Sequence, residues 1–217
     1  ANKPIWWAAT RAWAGGVMRS AGMTDLIVRG VEQLYDGQPY ILMANHQSLF
    51  DIPALLAAIP GQSRFIAKRS LFQIPIFGWA MAAGGFIPVD RKDRSTAKDS
   101  FGSALDKLSR GASIVVFPEE LRSLGGKVLP FRRGGFLMAL KSGLPVVPVG
   151  IHGTLAVQSR RSFLIRPQTV TVNFGEAIAL GVSVLAGDQA QAQVLAHAQA
   201  RHDAAVFGHI GQTQVVA

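Results

Sequence analysis

The sequence predicts an α/β fold in which a mostly parallel central sheet is flanked by helices, with an N-terminal helical segment at a membrane interface. Two observations predict the sheet. Short β-like runs alternate with helical runs, and the β-like runs are continuously apolar, as in strands that are covered on both faces. A length of 217 residues and an apolar fraction of 49% are sufficient for one domain with a sizeable core.

Residues 1–30 form an aromatic, basic segment that we predict to be helical and distinct from the main domain, residues 31–217. Three of the four tryptophans lie within "IWWAATRAWAGGVM", residues 5–18. Because tryptophan favours the lipid headgroup boundary, we expect this helix to lie in the plane of a membrane. The alternative is a helix that covers the core of the domain. No apolar run reaches the roughly 18 to 20 residues of a spanning helix.

The main domain is predicted to contain elements in alternating order. Its β-like runs are "YILMA" (40–44), "RFIA" (64–67), "FIPV" (86–89), "SIVVF" (113–117), 146–151 and 169–174. Its helical runs are 52–58, 76–83, 95–109, 136–142 and an Ala/Gln-rich tail from residue 186 onward. Pro88 indicates an edge or short strand, and Gly143 is predicted to end a helix.

The charge balance favours an anionic partner. Lys and Arg exceed Asp and Glu by 22 to 13, which gives a formal charge of +9. Nucleic acid, a phospholipid surface and a phosphorylated or CoA-linked substrate all fit such a charge. The basic residues are scattered and no nucleic-acid motif is present, so nucleic acid is the weakest of the three. The absence of cysteine excludes disulfides and thiol chemistry.

The stretch "NHQSLFD" is the strongest candidate for catalysis. His46 is able to accept a proton at neutral pH, and Asp51 is close enough in sequence to orient its imidazole. Alternatively, Asp51 is a helix N-cap and His46 an ordinary loop residue. The sequence contains no G-x-S-x-G and no second cluster of zinc ligands. A His–Asp pair without a nucleophile indicates direct attack by a hydroxyl of the substrate.

Further polar clusters follow other strands and are expected to meet "NHQSLFD" at one edge of the sheet. They are "DR" at 90–91 and "PEELRS" at 118–123; "LPFRRGG" at 129–135 adds Arg132 and Arg133. Each is either an anion site or a solvated surface group. The apolar stretch between Lys68 and Arg91 is interpreted as mostly core, with a surface patch or groove for an acyl chain or lipid as the alternative.

Four motifs together resemble the glycerolipid acyltransferases, best known from the 1-acylglycerol-3-phosphate acyltransferases. They are "NHQSLFD", "GFIPVDR", "FPEELRS" and "LPVVPVG", which occur in the order and rough spacing of that family's four blocks. The resemblance covers about residues 40–152. It implies transfer of a fatty acyl group from acyl-CoA or acyl carrier protein to a lysophospholipid hydroxyl, without a further cofactor or a metal, at the cytoplasmic face of a membrane.

The resemblance also assigns roles to residues by their position in the motifs. His46 becomes the general base and Asp51 its orienter. Residues expected to bind the acceptor's phosphate or glycerol part are Lys68, Arg91, Glu119 and Arg122. Pro148 in the fourth block is expected to be structural or to line the acyl channel.

The third block departs from the family pattern. It usually reads Glu-Gly-Thr-Arg-Ser, whereas here Glu120 and Leu121 replace the glycine and threonine. Glu120 adds negative charge where a phosphate is expected. A lyso-ornithine lipid, another lysophospholipid, or a non-catalytic lipid-binding role therefore remains an alternative to 1-acylglycerol-3-phosphate acylation.

Overall fold

The computed structural model describes residues 4–23, 25–34, 37–90 and 94–179. Its helices are α1 (Pro4–Ser20), α2 (Asp51–Ala58), α3 (Phe77–Ala83), α4 (Arg94–Ser109), α5 (Gly134–Ser142) and α6 (Thr154–Val157). Its strands are β1 (Leu26–Arg29), β2 (Ile41–Ala44), β3 (Ser63–Lys68), β4 (Ile87–Val89), β5 (Ser113–Val116), β6 (Val146–His152) and β7 (Val170–Phe174). Two 3₁₀ turns, Val31–Leu34 and Arg69–Gln73, complete the described elements.

The seven strands form one sheet in the order β1-β7-β6-β2-β5-β3-β4. Neighbouring strands are parallel except β6 and β7, which run antiparallel. The predicted mostly parallel sheet with flanking helices is confirmed. Pro88 lies in β4, which is an edge strand of the sheet and pairs with β3. Proline has no N–H to donate, and at the edge this absence does not interrupt the hydrogen bonds between the other strands.

The core lies on both faces of the sheet. Along β2, Leu42 and Ala44 pack with buried residues of α1 and α2, whereas Ile41 and Met43 pack with α4 and α5. Helices therefore cover both faces, which is why the central strands are apolar at every position. Gly143 adopts a left-handed conformation (φ 68°) and ends α5, as predicted.

Helix α1 covers part of this core with one face. Ala14 and Met18 are buried, and Arg11 Nη2 donates a 3.3 Å hydrogen bond to the carbonyl of Ala57 in α2. Trp6 and Trp13 are exposed on the other face. Contact of this helix with a membrane stays a prediction. Among the described residues, no helix has the length and apolar content needed to cross a bilayer.

Two sequence predictions differ from the structure or fall outside it. Residues 26–29, within the segment expected to be helical, instead form β1, because they pair in parallel with β7 from the far end of the domain. The C-terminal helix expected from residue 186 onward lies outside the described residues.

Candidate active site

The loop between β2 and α2 carries the His–Asp motif and is anchored at its first residue. The buried side chain of Asn45 donates from Nδ2 to the carbonyl oxygen of Ile151 (2.9 Å) and accepts from its amide at Oδ1 (2.7 Å). Both polar groups of the Asn45 amide are therefore satisfied by β6. This pairing fixes where the loop leaves the sheet.

Asp51 and His46 form a close pair. The distance from His46 Nδ1 to Asp51 Oδ2 is 2.8 Å, and Asp51 is fully buried. Asp51 Oδ2 also accepts hydrogen bonds from the amides of Gln47 (2.7 Å) and Ser48 (2.8 Å). These amides compensate for the burial of the carboxylate, since a buried charge needs donors around it.

The alternative interpretation of Asp51 as an N-cap is wrong. Phe50 is the N-cap residue of α2, and no side chain caps that end of the helix. Asp51 is the first helical residue, and its carboxylate turns back to the loop that precedes it. Its position at the helix N-terminus also suits a negative charge.

The imidazole of His46 is held on a second side by an aromatic ring. Its centroid lies 4.0 Å from that of Phe117, with 18° between the planes, and 16% of the His46 side chain is exposed. With Nδ1 facing Asp51, Nε2 has no hydrogen-bond partner among the described residues. A neutral imidazole that donates from Nδ1 to Asp51 leaves the lone pair of Nε2 as its acceptor, so the geometry is compatible with the predicted base.

Glu119 lies behind His46 rather than in a cavity. Its Oε1 accepts from the amide of His46 and its Oε2 from the amide of Leu129, both at 2.7 Å. The amide of Ser123 in turn donates to the carbonyl of His46 (2.8 Å). Burial raises the pKa of Glu119, and the two amide hydrogen bonds oppose that rise. This geometry holds the backbone of His46, whereas direct substrate binding by Glu119 stays a prediction.

His46 faces a cavity of about 610 Å³ at the carboxyl edge of the sheet. Apolar side chains from α2, β3, β5 and α5 form much of its wall. Its charged lining residues are Lys68, Glu120, Arg122, Arg132 and Arg160. Among the described residues, no group of three or more His, Cys, Asp or Glu is placed to hold a metal. The cavity therefore combines a base, several cations and an apolar surface.

Arg122 and Arg160 are neighbours at this cavity. Arg160 Nη1 donates to the carbonyl of Arg122 (3.2 Å). Burial lowers the pKa of Arg122, the charge of Arg160 lowers it further, and Asp51 acts in the opposite direction. Arg160 was not predicted from the motifs. The strand topology does indicate its position. Because β6 is parallel to β2, residues that follow β6, such as Arg160, emerge at the same edge of the sheet as the loop that carries His46.

The other predicted binding residues are placed differently. Lys68, at the end of β3, lines the cavity, as does Arg132. Arg133 is the N-cap residue of α5 and is not part of the lining. Arg91 lies outside the described residues. Pro148 is buried in β6, in register with Met43, and is absent from the cavity wall.

The apolar stretch after Lys68 is not mostly core, and that expectation is wrong. Ile74, Ile76, Phe77 and Trp79 are all exposed, and Phe77 faces Trp13 of α1 with ring centroids 6.5 Å apart. The 3₁₀ turn Arg69–Gln73 packs beside β3 and β4 at the edge of the sheet, and α3 follows it with much of its surface exposed. This surface is consistent with the alternative interpretation, a patch able to contact lipid.

Glu120 occupies a backbone conformation that favours glycine. Its φ is 61°, in the left-handed region, and its side chain borders the cavity. The turn after β5 thus retains the shape expected for a glycine in the family's third block while a carboxylate replaces it. Such an outlier is a candidate determinant of function.

Comparison with known proteins agrees with the motifs. A model of the acyltransferase family matches residues 25–152, more than half of the chain. The chain belongs to this family. The 1-acyl-sn-glycerol-3-phosphate acyltransferase BAT2 of Brassica napus is 40% identical over 146 residues, which are 66% of this chain and 41% of that protein. The beta enzyme of Homo sapiens is 30% identical over 152 residues, 70% of this chain and 55% of that protein.

The fold of this acyltransferase domain is also found in a solved relative. The crystal structure of the 1-acyl-sn-glycerophosphate acyltransferase PlsC from Thermotoga maritima superposes with a TM-score of 0.78 at 25% identity, covering 97% of this chain and 81% of that one. The resemblance in the four motifs is thereby confirmed at the level of family and fold. The chain spans about two fifths to just over half of the two curated relatives described above.

Proposed function

We propose that this domain transfers a fatty acyl group from acyl-CoA or acyl carrier protein to the free hydroxyl of 1-acylglycerol-3-phosphate, giving phosphatidate. The observation that carries the proposal is the His46–Asp51 pair facing a cavity with cationic and apolar walls. The names of the relatives support it, since both curated relatives and the solved structure are glycerophosphate acyltransferases.

In the proposed reaction His46 acts as a general base. Nε2 takes the proton of the acceptor hydroxyl while the hydroxyl oxygen attacks the carbonyl carbon of the thioester. The tetrahedral intermediate then collapses, the C–S bond breaks, and the departing thiolate takes the proton back from the imidazolium. Asp51 stabilises the positive charge that forms on His46. Base catalysis of this kind contributes about 10²- to 10⁴-fold, and joint positioning of donor and acceptor contributes more.

The charged residues of the cavity suit a lipid acceptor that carries phosphate. Arginine forks and a lysine are the usual ligands of phosphate oxygens, and Lys68, Arg122 and Arg132 border the same space as His46. Arg122 is partly buried, so water screens such an interaction less than it would at a fully exposed arginine. The apolar wall provides contact for an acyl chain, so both ends of a lysophospholipid have a matching surface.

We also propose that the domain lies on the cytoplasmic face of a membrane, where the lyso-lipid and its donors meet. The exposed tryptophans of α1 and the exposed apolar residues around α3 support contact with lipid. The net charge of +9 favours an anionic surface.

A second candidate differs in the acceptor alone. Glu120 borders the cavity and brings a negative charge close to the expected phosphate position. A carboxylate there favours a head group that carries an ammonium, as in a lyso-ornithine lipid or another lysophospholipid.

Mass spectrometry of products tests the proposal. Purified protein is supplied with a panel of lyso-lipids, each with acyl-CoA and with acyl carrier protein as donor, and Asp51→Asn is the matched control. Phosphatidate formed from 1-acylglycerol-3-phosphate, and lost in the variant, supports the proposal. Product from an ammonium-bearing acceptor instead supports the second candidate. Binding of lyso-lipid without product from either donor indicates a non-catalytic lipid-binding protein.

A further inference from the structure

The segment between α6 and β7, residues 158–169, exposes an unusual run of apolar side chains; we call it the rim loop. Phe163 is 98% exposed, Leu164 58% and Ile165 44%. The rim loop lies beyond the residues matched by the family model and beyond the four motifs. Exposure of three consecutive large apolar residues to water is unfavourable, so this run indicates a contact with something apolar.

The loop presents these side chains from a defined backbone. The amide of Ser162 donates to the carbonyl of Ser159, and the amide of Leu164 donates to Oγ of Ser162 (3.0 Å). The amide of Arg166 donates a hydrogen bond to the carbonyl of Val157 (2.9 Å), which joins the two sides of the loop. The apolar run therefore lies at the tip of a hydrogen-bonded turn.

The far end of the rim loop is packed against the end of α1. A Cβ atom built on Gly22 would lie 2.7 Å from Cγ of Pro167, so the two chains approach more closely than a side chain at position 22 permits. Gly22 also has a positive φ of 72°. The two sides of the loop are thus placed by Arg160 at the cavity and by Pro167 at the end of α1, and the tip projects between them.

The charge of the rim loop complements an anionic surface. Arg160, Arg161 and Arg166 are all exposed, and residues 158–169 contain no Asp or Glu. Basic residues on both sides of an apolar tip are typical of segments that insert among anionic lipid headgroups. This combination favours a phospholipid bilayer over a purely apolar protein partner.

The loop is continuous with the mouth of the cavity. Arg160 lines the cavity and donates to the carbonyl of Arg122. Two further exposed leucines, Leu121 and Leu124, flank Arg122 in sequence, and Leu121 lines the cavity as well. A membrane or protein surface in contact with the loop tip would therefore also contact the mouth of the cavity that contains His46.

We propose that the rim loop docks the domain on an anionic phospholipid bilayer. Phe163, Leu164 and Ile165 insert at the boundary of the acyl chains, while Arg161 and Arg166 contact lipid phosphates. The cavity mouth then lies at headgroup depth, and a lyso-lipid enters it without crossing water. The choice of a lipid surface rests on the proposed function, whereas the docking itself is measured without any reaction.

Vesicle co-sedimentation of the intact chain tests this docking. The probes are vesicles of mixed phosphatidylglycerol and phosphatidylcholine, and vesicles of phosphatidylcholine alone. The variant Phe163→Ser/Leu164→Ser is expected to weaken partition at least about tenfold, from the lost burial of two large side chains. Leu137→Ser, an exposed leucine on α5 outside the cavity wall, is the matched control and should bind as wild type.

The arginines and the apolar tip are expected to contribute separately to membrane binding. Arg161→Gln/Arg166→Gln is expected to lower partition into the anionic vesicles by about fivefold per arginine and to leave partition into phosphatidylcholine unchanged. Unaltered binding to the anionic vesicles by both double variants would overturn the proposal. So would self-association of the wild type that the tip variant abolishes in light scattering, since the tip would then contact a second copy of the chain.

A labelling experiment measures insertion of the loop while Leu164 and Ile165 are retained. The chain has no cysteine, so Phe163→Cys and the control Leu137→Cys each introduce a single attachment point for a polarity-sensitive fluorophore. Addition of anionic vesicles should shift emission from position 163 to the blue and leave position 137 unchanged. No shift at 163 while the protein co-sediments with vesicles would contradict docking through this loop.

Transfer to detergent-dispersed lyso-lipid separates this proposal from the proposed function. The tip variant should retain that activity and lose transfer to lyso-lipid embedded in vesicles. Absence of transfer in every format by wild type would count against the proposed function alone. Equal transfer from vesicles by wild type and tip variant would count against docking by the rim loop.

Discussion

The backbone amide of His46 donates a 2.7 Å hydrogen bond to Oε1 of Glu119. The other oxygen of the same carboxyl accepts from the amide of Leu129, also at 2.7 Å. Glu119 therefore joins the loop that carries the proposed base to the segment that follows β5. Its position explains how a residue outside the cavity can control the geometry of His46.

Replacement of Glu119 by Gln tests this positioning. A glutamine has one acceptor oxygen, so one of the two backbone amides loses its partner and faces a donor instead. The free energy of unfolding should fall by about 1–3 kcal/mol, and kcat should fall more than KM changes. Urea unfolding and steady-state acyl transfer are the measurements. Glu32→Gln, at an exposed position, is the control, and equal effects of the two variants would contradict the positioning role.

The raised pKa of Glu119 predicts a pH dependence of stability. Because burial raises this pKa above its ordinary value of 4.5, the folded state retains a proton that the unfolded chain has already lost. The free energy of unfolding therefore decreases as pH rises from about 4.5 through the folded pKa. The stability difference between wild type and Glu119→Gln should shrink with rising pH across that window. A difference that grows with pH would contradict the sign of the shift.

Glu120 offers a test of backbone strain and head-group preference together. Glu120→Gly should remove the conformational cost of a non-glycine residue in the left-handed region and stabilise the fold by up to about 1 kcal/mol. The greater chain entropy of glycine in the unfolded state reduces this gain. Glu120→Ala keeps the φ of 61° and removes the carboxylate alone. Both variants should lower KM for 1-acylglycerol-3-phosphate. A higher KM in both would show that the carboxylate assists this acceptor.

Arg122 is expected to bind the acceptor rather than take part in the chemistry. Arg122→Gln should raise KM for a phosphate-bearing acceptor by about 10- to 100-fold and change kcat little, since the lost charged hydrogen bonds are the same before and during the reaction. Arg133→Gln is the control, because Arg133 is exposed and outside the cavity wall. A selective loss of kcat would place Arg122 at the transferring group instead.

The central strands β2, β5 and β6 could be predicted from the sequence because each is apolar over nearly its whole length. The run "SIVVF" became β5, and its continuation placed Phe117 against His46. β1 could not be predicted in this way. Leu26–Arg29 is half-exposed and short, and its partner β7 is distant in sequence, so no local pattern marks it.

The contact between His46 and Asp51 was predictable from the sequence, whereas the contacts around this pair were less so. The His46–Asp51 distance follows from a turn between β2 and α2, which the motif spacing indicated. The direction of the Glu119 side chain did not follow, because it depends on two amides brought together by the fold. Arg160 and the rim loop were missed for a related reason: they belong to no motif, and β6 and β7 bring them to the cavity edge.

Acyl transfer by His46→Ala is the most direct test of the proposed mechanism. His46 is partly exposed, so the variant should fold, and thermal unfolding verifies this before kinetics are measured. With 1-acylglycerol-3-phosphate and acyl-CoA, kcat/KM should fall by about 10²- to 10⁴-fold while binding of the lyso-lipid persists. Transfer at the wild-type rate by the folded variant would contradict a base at position 46.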